Sequence, residues 1–185
     1  MDKLFPLPSA PAGLSLSARG LYLAVTPTRE TDRVTELIAG LALRGPLAIV
    51  AGSEWIPNYA VARLLRRSTP RLESILGHIH LARAFTCYQL LDLLSGARPE
   101  SAPLLVLDML HTFYSDDIPL DVRRRTLERC GRHLQRLSLY RPVAVLTPRA
   151  ASQDFPRFYS MLASLADEIY QPETARPAAM QPDLF

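Results

Sequence analysis

The chain has 185 residues, 48% hydrophobic, 21% charged and 8% aromatic, with a formal net charge of +3. That balance suits one folded domain with a sizeable core, and it excludes a chain disordered throughout, a collagen-like fibre and a disulfide scaffold. Lys3 is the sole lysine among 21 basic residues, so Schiff-base chemistry, a lysine general base and a phosphate-loop lysine find no suitable side chain.

Residues 1–18 are rich in Pro, Ser and Gly and are expected to form a loose arm. Their apolar part is too short and too proline-rich for a signal peptide. Leu21–Val25 (LYLAV) reads as a short buried strand, followed by helical spacing of Val34, Leu37, Ile38, Leu41 and Leu43 over Thr31–Leu43. Gly45-Pro46 breaks the helix before a second buried strand, Leu47–Ala51 (LAIVA). Tyr59–Arg67 is a helix, and His78–Ala82 (HIHLA) is a weaker third strand.

An amphipathic helix over Thr86–Ser95 leads through a loop to Leu104–Leu107 and Asp108 (LLVLD), the clearest strand signal in the chain. A long helix follows over Leu120–Leu139, then a fifth strand, Val143–Thr147, and a last short helix, Phe158–Leu165. Residues 171–185, rich in Pro and Ala, read as a flexible tail. Continuously apolar strands alternating with helices predict an α/β fold: one domain over residues 19–170, with a mostly parallel sheet covered on both faces. Ligands of such folds bind at the C-terminal strand ends.

Cys87 and Cys130 lie in apolar helical patterns without CxxC spacing, as reduced core thiols do. No apolar run approaches the roughly 20 residues that cross a bilayer, so a cytoplasmic protein without a membrane partner is expected. His78 and His80 share one face of their strand, a two-ligand arrangement of interest for metal. With no third ligand at matching spacing, ordinary packing is the favoured reading. Ser53 follows a glycine, but Ala51-Gly52-Ser53-Glu54-Trp55 lacks the second glycine of a nucleophile elbow. Trp55 suits a surface anchor or a core or edge position equally.

The run HIHLARAFTCYQLLDLL, residues 78–94, resembles the core of the RecA/RadA recombinases, where a strand leads through an ARAF turn into a helix carrying a glutamine. LLVLDMLHTFYSDD, the arginine-rich helix after it and VAVLTP are similar to that family's Walker B strand, first DNA-binding loop, helix and next strand. The resemblance spans about residues 20–170 and implies a RecA-like fold, bacterial DNA repair or recombination, and complexes with itself or other proteins. It does not extend to the phosphate loop. Thr26–Arg33 (TPTRETDR) contains neither glycine nor lysine; Pro27 removes an amide donor, and Glu30 and Asp32 place negative charge where a triphosphate would sit. Asp108 matches the Walker B aspartate as a remnant, and Glu54 lies near the place of the family's catalytic glutamate. No bound cofactor and no ATP hydrolysis are expected. The competing enzyme reading is a DNA-dependent ATPase using Asp108 for Mg²⁺ and Arg29 or Arg33 in place of the lysine.

At 100° per residue, Arg125, Arg129, Arg132 and Arg136 fall within a stripe roughly 60° wide, opposite Leu127, Cys130, Leu134 and Leu137. A planar guanidinium donates paired hydrogen bonds to phosphate, yet a charged stripe also serves as a solvated face. Arg149 and Arg157 would extend a DNA-binding patch, and Asp116, Asp117 and Asp121 oppose phosphate near the first loop.

Gln181-Pro182-Asp183-Leu184-Phe185 resembles the bacterial sliding-clamp-binding motif, with Pro182 in place of the preferred leucine. The resemblance implies clamp docking through Gln181, Asp183, Leu184 and Phe185: the amide makes directional hydrogen bonds and the two large side chains fill apolar pockets. The alternative is that Leu184 and Phe185 fold back on the domain. Together these features predict a non-catalytic accessory factor in DNA repair, recombination or translesion synthesis. It would be nucleoid-associated, with the clamp, DNA, and RecA or a repair polymerase as partners. A protein-only scaffold is the remaining alternative.

Overall fold

The computed structural model describes residues 16, 19–26, 31–98, 100–115 and 117–170. The apolar runs enter one sheet as β1 (Gly20–Thr26), β2 (Leu47–Ala51), β3 (Ile79–Arg83), β4 (Leu104–Leu107) and β5 (Pro142–Pro148). A sixth strand, β6 (Glu168–Tyr170), joins them in the order β3-β2-β4-β5-β1-β6. Every pairing is parallel, from Gly20 opposite Pro142 to Ala51 opposite Leu107. The protein is an α/β single domain, an arrangement consistent with a RecA-like core. Among the described residues no helix is long and apolar enough to cross a membrane.

Alternation along the strands divides the core in two. Leu23, Val106, Val143 and Val145 face helices α4 (Cys87–Gly96), α5 (Leu120–Ser138) and α6 (Phe155–Ala163). Ala24, Ile49, Leu105 and Leu146 face α1 (Thr31–Arg44), α2 (Asn58–Ser68) and the single turn α3 (Leu72–Leu76). The central strands are buried on both sides, which is why they are apolar without interruption. Leu16, within the segment expected to be an arm, is buried against the α1 side.

Three elements depart from the expected pattern. Helix α6 begins at Phe155 rather than Phe158, because Pro156 occupies its first turn, where a proline costs no hydrogen bond. Strand β6 has no apolar run to announce it. Asp167 holds it, donating its N–H to Leu21 O at 2.8 Å and accepting the Leu21 N–H on Oδ2 at 2.7 Å. The turn α3 has no fully buried residue and so no periodic signature. Elsewhere the expected limits are met within a residue or two; Thr86, expected inside α4, is its N-cap and accepts the Gln89 N–H.

Candidate functional site

The C-terminal ends of β2, β4 and β5 converge on Asp108. Its N–H donates to Leu146 O of β5 at 2.7 Å, and its carbonyl accepts the His111 N–H at 3.2 Å. Its backbone is left-handed, φ 49°, ψ 42°, a conformation that aspartate tolerates better than most residues. Asp108 is buried, and it turns the chain into a 3-10 turn, Met109–Phe113. On the β2 side, Gly52 donates to Leu107 O at 2.8 Å. A Cβ at residue 52 would lie 2.5 Å from the Asp108 carbonyl oxygen, so this close approach requires glycine.

Glu54 is turned the other way. Its carboxylate accepts from Arg83 at 3.0 Å on the edge strand β3, on the opposite flank of β2 from β4, and Arg83 also stacks on Phe85 at 4.6 Å. Ser53 is buried and accepts the Trp55 N–H, while Trp55 belongs to the core on the α1 side. Thr26, at the end of β1, accepts the Arg149 N–H on its carbonyl at 2.8 Å. Pro27, Thr28, Arg29 and Glu30, half of the stretch expected to have lost phosphate binding, lie outside the described residues, as does Asp116.

Beneath the turn sits a buried ionic node that sequence reasoning missed. Arg123 donates to Phe113 O at 2.9 Å and to Asp154 Oδ2 at 3.0 Å, with Phe158 under its guanidinium at 5.9 Å. It ties α5, the 109–113 turn and α6 together. The signal was present, because Arg123 precedes Leu127, Cys130, Leu134 and Leu137 in an unbroken 4-3-4-3 spacing along the buried face. The hydroxyl of Tyr114 is buried beside it without a hydrogen-bond partner among the described residues. Burial first, then the charges of Asp108 and Asp154, raise its pKa, so it stays protonated.

Helix α5 runs back across the sheet from the C-terminal edge, with Leu127, Cys130, Leu134 and Leu137 buried as expected. Arg125, Arg129, Arg132 and Arg136 are exposed in one row, and Arg124 is exposed about 100° round the helix from Arg125. The row is not uniform. Arg125 is 4.0 Å from Asp121 and Arg124 is 3.8 Å from Glu128, both exposed pairs of the (i,i+4) kind that contribute little. Arg136 instead reaches the end of α4, where it donates to the carbonyls of Leu94 (3.4 Å), Ser95 (3.2 Å) and Ala97 (3.3 Å). It satisfies acceptors that the helix end leaves open. Arg129 and Arg132 have no ion-pair partner among the described residues. His133, between them and Arg136, has a lowered pKa, through burial and then the Arg136, Arg129 and Arg132 charges. Arg149 is exposed just after β5, at the C-terminal edge of the sheet.

His80, in β3, and His78, just before it, are both exposed rather than packed. No group of three or more His, Cys, Asp or Glu placed to hold a metal occurs among the described residues. Cys87 and Cys130 are free and fully buried; desolvation raises both thiol pKa values, that of Cys130 to about 12. Gln181, Pro182, Asp183, Leu184 and Phe185 lie outside the described residues. No protein-family model matches the chain, and a search of curated proteins finds no match.

Proposed function

We propose that the protein is a non-catalytic, RecA-like accessory factor of bacterial DNA repair, recombination or translesion synthesis. In this reading the arginine face of α5 binds DNA, and Gln181, Asp183, Leu184 and Phe185 dock on the replication sliding clamp. The observation that carries the core's part is the exposed pair Arg129 and Arg132, with no carboxylate to neutralise either among the described residues. Two adjacent guanidiniums held on a rigid helix suit the spaced phosphates of a nucleic-acid backbone. The tail's part is supported by the QPDLF sequence after a proline-rich stretch.

Burying one Leu and one Phe is worth about 1.5–3 kcal/mol each, which before ordering costs corresponds to a Kd between several millimolar and tens of micromolar. The hydrogen bonds of the Gln181 amide and the extended backbone supply the remainder of a micromolar affinity. Tethering then raises the local concentration of the core on clamp-loaded DNA without new contacts. The test is titration of the bacterial clamp with the chain and with its Leu184→Ala, Phe185→Ala variant. Micromolar binding by the first and none by the second, with both chains folded, is the expected result. No clamp binding by the wild type, with a lower melting temperature in the variant, would remove the replication link.

A further inference from the structure

Helices α5 and α6 leave a groove between them on the outer face of the domain. Its floor is Leu127 and Leu162, both buried, and its walls are Met161 and Leu165. It encloses about 360 Å³, on the scale of a leucine and a phenylalanine side chain together. Gly131 lets the two sides approach, because a Cβ there would strike Leu165 Cδ1.

The rim carries one charge of each sign. Glu128 is paired with Arg124, whereas Arg132 has no ion-pair partner among the described residues. A fitting guest carries a carboxylate next to two large apolar side chains. Asp183-Leu184-Phe185 of this chain has that composition.

We infer that the α5–α6 groove is a docking surface for residues 183–185 of the same chain, with Leu184 and Phe185 in the apolar trough and the Asp183 carboxylate on Arg132. Reach permits it. Tyr170 ends β6 five residues after Leu165, so the two are at most about 18 Å apart, while residues 171–180 span up to about 35 Å when extended. Covalent linkage brings the segment to the millimolar scale, enough for two apolar side chains and one ion pair to occupy the groove.

The consequence rests on the clamp-docking reading of residues 181–185: a docked segment is withheld from the clamp. An anionic ligand on Arg129 and Arg132 competes with Asp183 and releases it. Occupation of the arginine face would then expose the clamp peptide, coupling the two partners through one groove.

The probe is a fluorescein-labelled peptide of residues 176–185, titrated into the full chain carrying Leu184→Ala and Phe185→Ala, whose own tail no longer competes. Saturable binding is expected, weakened about fivefold or more by Arg132→Glu and abolished by Leu165→Arg. Arg132 is exposed, so its variant keeps the test valid if Leu165→Arg unfolds. Against the clamp, the wild-type chain should bind about tenfold more weakly than the free peptide. Leu165→Arg should remove that difference.

No peptide binding up to about 5 mM overturns the inference. Equal clamp affinities of chain and peptide also overturn it and leave clamp docking intact. A peptide that fills the groove but never binds the clamp supports the docking and sinks the clamp reading. A doubled mass in solution, lost in Leu165→Arg, gives the groove to the tail of a second copy and overturns docking within one chain.

Discussion

Gly52 and Asp108 meet backbone to backbone at the C-terminal edge of the sheet, with 2.5 Å between the Asp108 carbonyl oxygen and the place a Cβ on residue 52 would occupy. The neighbouring atom is main chain, so neither side can swing away. Asp108 in turn holds a left-handed φ of 49°. The β2–β4 junction therefore depends on one residue without a side chain and one with an unusual backbone.

Gly52→Ala should destabilise the domain by about 1–3 kcal/mol through overpacking, lowering the melting temperature by roughly 2–4 °C per kcal/mol. Asp108→Gly should retain more stability than Asp108→Ala, since only alanine is strained at that φ. Thermal denaturation of the three variants checks the order, and equal melting temperatures for the two Asp108 variants would show that backbone strain does not matter there.

Arg123→Ala should cost about 3 kcal/mol, because it leaves the Phe113 carbonyl and the Asp154 carboxylate without their donor. The loss should appear first as faster amide exchange in the turn Met109–Phe113, whose Phe113 carbonyl the guanidinium holds. Uniform exchange across the domain would assign Arg123 no local role.

For the arginine row, the contacts separate two groups. Arg129→Gln with Arg132→Gln should weaken DNA binding at little cost in stability, and should flatten the slope of log affinity against log salt by about 2. Arg136→Gln should lower the melting temperature, having lost three carbonyls of α4, and should change the salt slope less. Replacing all of Arg125, Arg129, Arg132 and Arg136 with no change in binding would leave the row a solvated face.

His133 supplies a pH reading of the same surface. Its pKa is lowered in the folded chain, so the unfolded chain takes up the proton more readily. Its contribution is neutral above the unfolded value of about 6.5 and turns destabilising as pH falls through it. Phosphates on Arg129 and Arg132 would screen the charges that depress it, so DNA should raise the His133 pKa. Imidazole NMR titration with and without DNA measures the shift; an unmoved pKa at saturating DNA would place the DNA elsewhere.

Titration calorimetry with Mg-ATP should show no binding, given the absence of glycine and lysine from Thr26 to Arg33. Micromolar affinity that disappears in Asp108→Ala would favour the ATPase instead.

The central strands were legible in the sequence because burial on both faces demands unbroken apolar runs: LYLAV, LAIVA, LLVL and VAVLT each lie in one strand of the sheet. The two-sided character of α5 was legible for the same reason, since a helix on a sheet repeats its apolar face with the turn of the helix. Tertiary structure decided what depends on contacts between distant residues. Strand β6 exists because Asp167 reaches Leu21, 146 positions away in the chain. Arg136 looked like Arg129 and Arg132 on the helical wheel, and only the end of α4 beside it makes it a cap. Arg123 shows the limit from the other side: its spacing marked it as buried, but its partner Asp154 lies 31 residues on, beyond any local pattern. Periodicity reports which face of an element meets the core, because burial is a property of the element itself. Which polar groups meet across that core is set by strand order and helix placement, which no local pattern encodes.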